Sequence, residues 1–156
     1  MTQEDIIIEE EALSDFMLES NKIENIYFTT DEEVAAAAIF LCCKPVTVDD
    51  LVRLVIVLQP DAKLRTQVGL NVRIGNYVPP PGGPDVQNHL DMLLFRINLG
   101  SASAFIAHRD YESLHPFTDG NGRSGRLLWL RMMGKNYISP LGFLQSWYYQ
   151  SLERPW

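Results

Sequence analysis

The chain has 156 residues, of which 46% are hydrophobic and 21% charged, with a formal net charge of −7. That suits one compact domain with a core that needs neither metal nor disulfide support, and it excludes the broad basic footprint of a nucleic-acid binder, so any phosphate site must be local. Met1 to Glu11 is acidic where a leader would be basic, and no apolar run approaches a membrane span, so a cytoplasmic protein without nucleic-acid or membrane partners is expected.

Within Glu9 to Glu19, Leu13, Phe16 and Met17 fall at helical spacing, which predicts a helix that stops where Ser20, Asn21 and Asn25 cluster. Asp31 is a candidate cap for the next helix. Its stretch Val34 to Cys43 is apolar nearly all round, predicting burial up to Pro45, with Cys42 and Cys43 as reduced core thiols. Thr47 opens a third helix, Val48 to Leu58, whose Leu51, Leu54, Val55 and Leu58 make a core-facing stripe.

The period then changes. Val68, Leu70, Val72 and Ile74 alternate with small or polar residues ahead of Gly75 and Asn76, which predicts a short β-hairpin flap. Pro79 to Pro84 is a stiff connector. Helical periodicity returns over Val86 to Leu99, Ala102 to Leu114 and Gly122 to Met133, the last apolar on most faces and therefore the expected central helix. Leu141 to Leu152, starting after Pro140, is expected to close the domain with Phe143, Trp147 and Tyr148. The predicted fold is mainly α, a single helical domain.

His115-Pro116-Phe117-Thr118-Asp119-Gly120-Asn121-Gly122-Arg123-Ser124-Gly125-Arg126 joins two of these helices. Gly120, Asn121 and Gly122 allow positive φ and close backbone approach, so consecutive N–H groups can form an anion nest where a helix begins. Arg123 and Arg126, three apart, share a helix face and can clamp further phosphate oxygens. Asp119 can hold Mg²⁺ against those oxygens. His115, neutral near pH 7, can accept a hydroxyl proton. Phe117 alternates away from His115 and anchors the loop in the core. His89 and His108 lack such surroundings and are expected to be ordinary partly exposed or core-edge residues. Read plainly, Asp119 is a cap, Arg126 a surface charge and the glycines a turn. It is their coincidence that points to phosphate chemistry.

These residues match every specified position of the signature His-x-Phe-x-Asp/Glu-Gly-Asn-Gly-Arg-x-x-Arg, so the chain resembles the Fic family (filamentation induced by cAMP). The segment from Arg65-Thr66 through Pro81 resembles that family's flap, and the helical order resembles its core, taken as residues 31–156. The resemblance implies a protein adenylylyltransferase with ATP as substrate and Mg²⁺ as cofactor. His115 would be the base and Asp119 the metal ligand, with Phe117, Gly120, Asn121, Gly122, Arg123 and Arg126 as the nucleotide-binding set. Related Doc kinases carry a lysine in the Gly-Asn-Gly-Arg part, which this chain does not, favouring AMP transfer.

Ser20-Asn21-Lys22-Ile23-Glu24-Asn25 is similar to the family's inhibitory pattern Ser/Thr-x-x-x-Glu-Gly/Asn, within an N-terminal unit 1–30. Glu24 could pair with Arg126 and occupy the charge a γ-phosphate needs; in some relatives the same glutamate helps to remove AMP. The flap edge, with Val72, Ile74, Tyr77 and Val78, could add a target segment as an extra strand and present its Ser, Thr or Tyr hydroxyl. A different phosphate-bearing donor, and a module that binds nucleotide or partner without turnover, are the alternatives.

Overall fold

The computed structural model describes residues 10–134. Within them run six helices: α1 (Glu10–Ile23), α2 (Asp31–Cys42), α3 (Val48–Leu58), α4 (Pro84–Asn98), α5 (Ala104–Leu114) and α6 (Asn121–Met133). The expected closing segment Leu141 to Leu152, with Phe143, Trp147 and Tyr148, lies outside these residues.

α6 is the centre of the fold, packing against α5, α2, α3 and α1. Leu127, Leu128 and Leu130 are fully buried, as their apolar spread predicts. α3 buries the stripe Leu51, Leu54, Val55 and Leu58. α2 behaves otherwise: it buries Val34, Ala37, Phe40 and Leu41 but leaves Ala35, Ala38 and Ile39 exposed. Cys42 is exposed and Cys43 half-buried, both as free thiols, so neither is a core thiol. An apolar sequence face did not imply a covered one.

Thr30 rather than Asp31 caps α2. It forms a reciprocal capping box with Glu33, and Asp31 takes the first helical position, where its charge faces the positive dipole end. Thr47 caps α3 in the same way through Asp50. α1 runs four residues beyond the predicted stop at Glu19. Ser20 and Asn21 are weak helix formers, but both are buried, and the Ser20 hydroxyl and the Asn21 amide N–H find partners on distant elements. Leu13, Phe16 and Met17 seat this helix in the core. Phe16 is 0% exposed, so Phe16→Ala is expected to cost about 3–5 kcal/mol in denaturant unfolding. A loss below about 1 kcal/mol would show α1 to be only loosely seated.

No strand forms among the described residues, and the expected hairpin is replaced by a loop. Ile74 and Tyr77 exchange N–H···O=C bonds of 2.9 Å in an isolated bridge, and the pairing goes no further. The returning arm would be Pro79, Pro80 and Pro81, which have no N–H to donate to a ladder. The start of the segment pairs elsewhere: Arg65 N donates to Pro116 O at 2.8 Å and Thr118 N to Lys63 O at 2.9 Å. Residues 63–65 are thus zipped to the loop that follows α5. No helix among the described residues is long and apolar enough to cross a membrane.

Candidate functional site

His115 ends α5 in the left-handed region, at φ 49° and ψ 62°, with its N–H donating to Tyr111 O. Few side chains sit there without help from their surroundings. The turn aims the imidazole into a cavity of about 420 Å³, which it lines together with Asp119, Gly120, Asn121, Gly122 and Arg123. Glu24 lines the same cavity from the turn that ends α1, and Val72 and Ile74 from the 66–82 loop.

Five residues on, Gly120 adopts φ 78° and α6 begins with no side-chain cap, unlike α2, α3 and α5. Its first N–H groups therefore remain available to an anion at the positive end of the helix dipole. The Asn121 side chain is committed to the loop, donating to Phe117 O at 2.8 Å and accepting from Phe117 N at 2.9 Å. That leaves the backbone of Asn121 for the nest. Asp119 is exposed, and one of its oxygens accepts from Gly120 N at 2.7 Å.

Two members of the expected nucleotide-binding set lie beneath the cavity floor. Phe117 is buried in the core, where it fixes the loop. Arg126 is 1% exposed and held by α1: Nε donates to Ser20 Oγ at 2.7 Å, and Nη2 donates to Ser20 O at 3.0 Å and to Glu24 Oε1 at 2.8 Å. A Cβ added at Gly122 would stand 2.5 Å from that same Glu24 oxygen. The carboxylate therefore rests against the start of α6, in the space a glycine leaves open.

The local fold of α1 puts it there. Ile26 N donates to Asn21 O and Asn25 N to Lys22 O, the paired bonds that terminate a helix, with Asn25 at φ 61°. Asn25 thus serves by turning the chain rather than by touching the arginine, and Glu24 becomes the capping residue that projects over Arg126.

Several contributors were not predicted. Asn21 is 0% exposed and donates to Phe28 O at 2.8 Å and to Glu33 Oε2 at 3.1 Å, tying α1 to α2. Arg123 donates to Gln59 Oε1 at 3.0 Å and stands 4.0 Å from Glu33 Oε1. Tyr77 turns away from the cavity and donates its hydroxyl to Ser113 O at 2.6 Å, while Val78 is exposed. His108 is buried, not at a core edge; burial, helped by Arg126, holds its imidazole down at about 3. Beside it, burial pushes the Glu112 carboxyl up to about 7 against the pull of Arg126.

Burial lowers the pKa of His115 and Arg65 adds to it, while the Glu112 backbone, Asp119 and Glu24 oppose. The imidazole is therefore neutral further into acid than an ordinary histidine. If it is the base, the acid limb of a rate–pH profile is expected below the ordinary value of about 6.5. A limb at or above that value would point to another group.

The class these features define is a helical protein with an anion-receptive helix start at the floor of a cavity. The chain belongs to the Fic/DOC family, whose model matches residues 51–133, from α3 to the end of α6. Members of this family are typically transferases. No curated protein matches the chain.

Proposed function

We propose that this protein is an adenylylyltransferase that moves AMP from ATP to a Ser, Thr or Tyr hydroxyl of a target protein, and that Glu24 restrains it. The observation that carries this reading is the Glu24 carboxylate, bonded to Arg126 at 2.8 Å and lying against the uncapped start of α6. An internal anion stands where a phosphate oxygen would.

In this reading the target hydroxyl enters beside His115. Its Nδ1 is buried, which leaves Nε2 to take the proton. The hydroxyl oxygen bonds to the α-phosphorus, the bond from that phosphorus to the α–β bridging oxygen breaks, and pyrophosphate leaves. The N–H groups of Asn121 and Gly122 and the Arg123 guanidinium hold the phosphate chain, and Arg126 joins them once Glu24 is displaced. The exposed, singly bonded Asp119 carboxylate fits Mg²⁺, an ion that takes one or two protein carboxylates and fills its shell with phosphate oxygens and water. Bound there, the ion would screen phosphate charge. Val72 and Ile74, on the cavity wall next to His115, suit a docking edge for the target segment.

The test is the fate of two labels. ATP labelled at the α-phosphate should mark protein and ATP labelled at the γ-phosphate should not. The reverse pattern would make the protein a kinase, and binding without transfer of either label would make it a non-catalytic module.

A further inference from the structure

Arg65, at 0% exposure, is with Arg126 the largest side chain fully buried among the described residues. Among the described residues no carboxylate pairs with it. Carbonyl groups surround it instead: Nε donates to His115 O at 2.7 Å, Nη2 to Leu114 O at 2.9 Å, and Nη1 to Leu70 O at 3.1 Å and Pro80 O at 2.9 Å. A cation without a counter-ion is costly to bury, and it persists only where its donors are satisfied.

The four acceptors belong to two different segments. Leu114 and His115 supply carbonyls at the C-terminal end of α5, where backbone acceptors lack helical partners and the dipole favours positive charge. Leu70 and Pro80 lie toward the two ends of the 66–82 loop that carries Val72 and Ile74 to the cavity. The backbone of Arg65 repeats the pattern, its N–H donating to Pro116 O and its carbonyl accepting from Gly83 N at 2.9 Å. One residue thus closes the loop that ends at Gly83 and grips the backbone of the candidate base.

We infer that Arg65 is a positioning residue that locks the 66–82 loop and the His115 turn into a single rigid unit, fixing the target-docking wall relative to the base. This rests on the roles proposed for His115 and for Val72 and Ile74. The left-handed conformation of His115 is held because a planar guanidinium spans carbonyls on both segments. A lysine has neither the fork nor the donors to do the same.

Hydrogen exchange on the full chain, without nucleotide, tests the lock apart from any transfer. In Arg65→Lys the amides of 66–83 and of 115–118 should both exchange at least about tenfold faster, with α2 and α3 unchanged. Asn71→Ala, which removes the acceptor of Gly82 N, should loosen 66–83 alone. If Arg65→Lys speeds only the 66–83 amides, Arg65 merely anchors the loop and the inference fails. Should that variant not fold, exchange of the unaltered protein in rising urea decides: both segments opening with one free energy and one denaturant slope supports the unit, and separate openings overturn it. With a working transfer assay, Arg65→Lys should lower kcat while leaving ATP affinity unchanged.

Discussion

Replacing His115 by alanine is expected to lower adenylyl transfer by about 10²–10⁴-fold while leaving ATP affinity essentially unchanged. The imidazole faces the cavity but is no part of the nest, which is built from α6 backbone and two arginines, so removing it takes away the proton acceptor and leaves the phosphate cradle. Calorimetry with ATP and Mg²⁺, run beside the labelling assay, separates the two effects. A parallel loss of binding and transfer would place His115 in the nucleotide site instead, and a transfer rate within a few-fold of the parent would remove it as the base.

The second large effect runs the other way. Glu24→Gly is expected to raise transfer by between about tenfold and a hundredfold. Arg126 now spends its Nη2 on Glu24 Oε1, and a charge-assisted bond of that kind is worth roughly 1.5–3 kcal/mol, while a misplaced phosphate chain can cost a further factor of about 10² in rate. Glycine at this position keeps the helix end intact, because the turn depends on Asn25 and on backbone bonds from Asn25 and Ile26. Ser20 would still hold Arg126 Nε, so the arginine stays in place and only its outer edge is freed. Adding Arg126→Ala to the glycine variant should cancel the gain. If the glycine variant labels no better than the parent, the carboxylate does not compete with nucleotide and the contact is only structural.

The loop from His115 to Arg126 was legible because its chemistry lies in consecutive residues: glycines that free the backbone, one acid, two arginines at helical spacing and a histidine at a helix end. The Glu24 to Arg126 contact, 102 residues apart in sequence, was reachable only because a short pattern pointed to it. Other features depend on tertiary partners that local patterns do not encode. Ser20 and Asn21 read as a helix stop, yet Arg126 bonds the Ser20 hydroxyl and Glu33 accepts from the Asn21 amide, and the helix continues. The alternation of Val68 to Ile74 read as a strand, but a strand requires a partner with free N–H groups, and the prolines that follow cannot be one. Arg65 read as the first residue of a flap; its burial is intelligible only when the four carbonyls that surround it are seen together. The α2 surface misled in the opposite sense, since apolar residues all round do not show which face the fold covers.

The most direct test of the central claim is the intact mass of the Glu24→Gly protein after incubation with ATP and Mg²⁺. The account predicts a gain of one adenylyl group on the chain, reduced in the unaltered protein and absent when His115 is also replaced by alanine. A Glu24→Gly protein that binds ATP yet keeps its mass, or that gains a phosphoryl group instead, would contradict it.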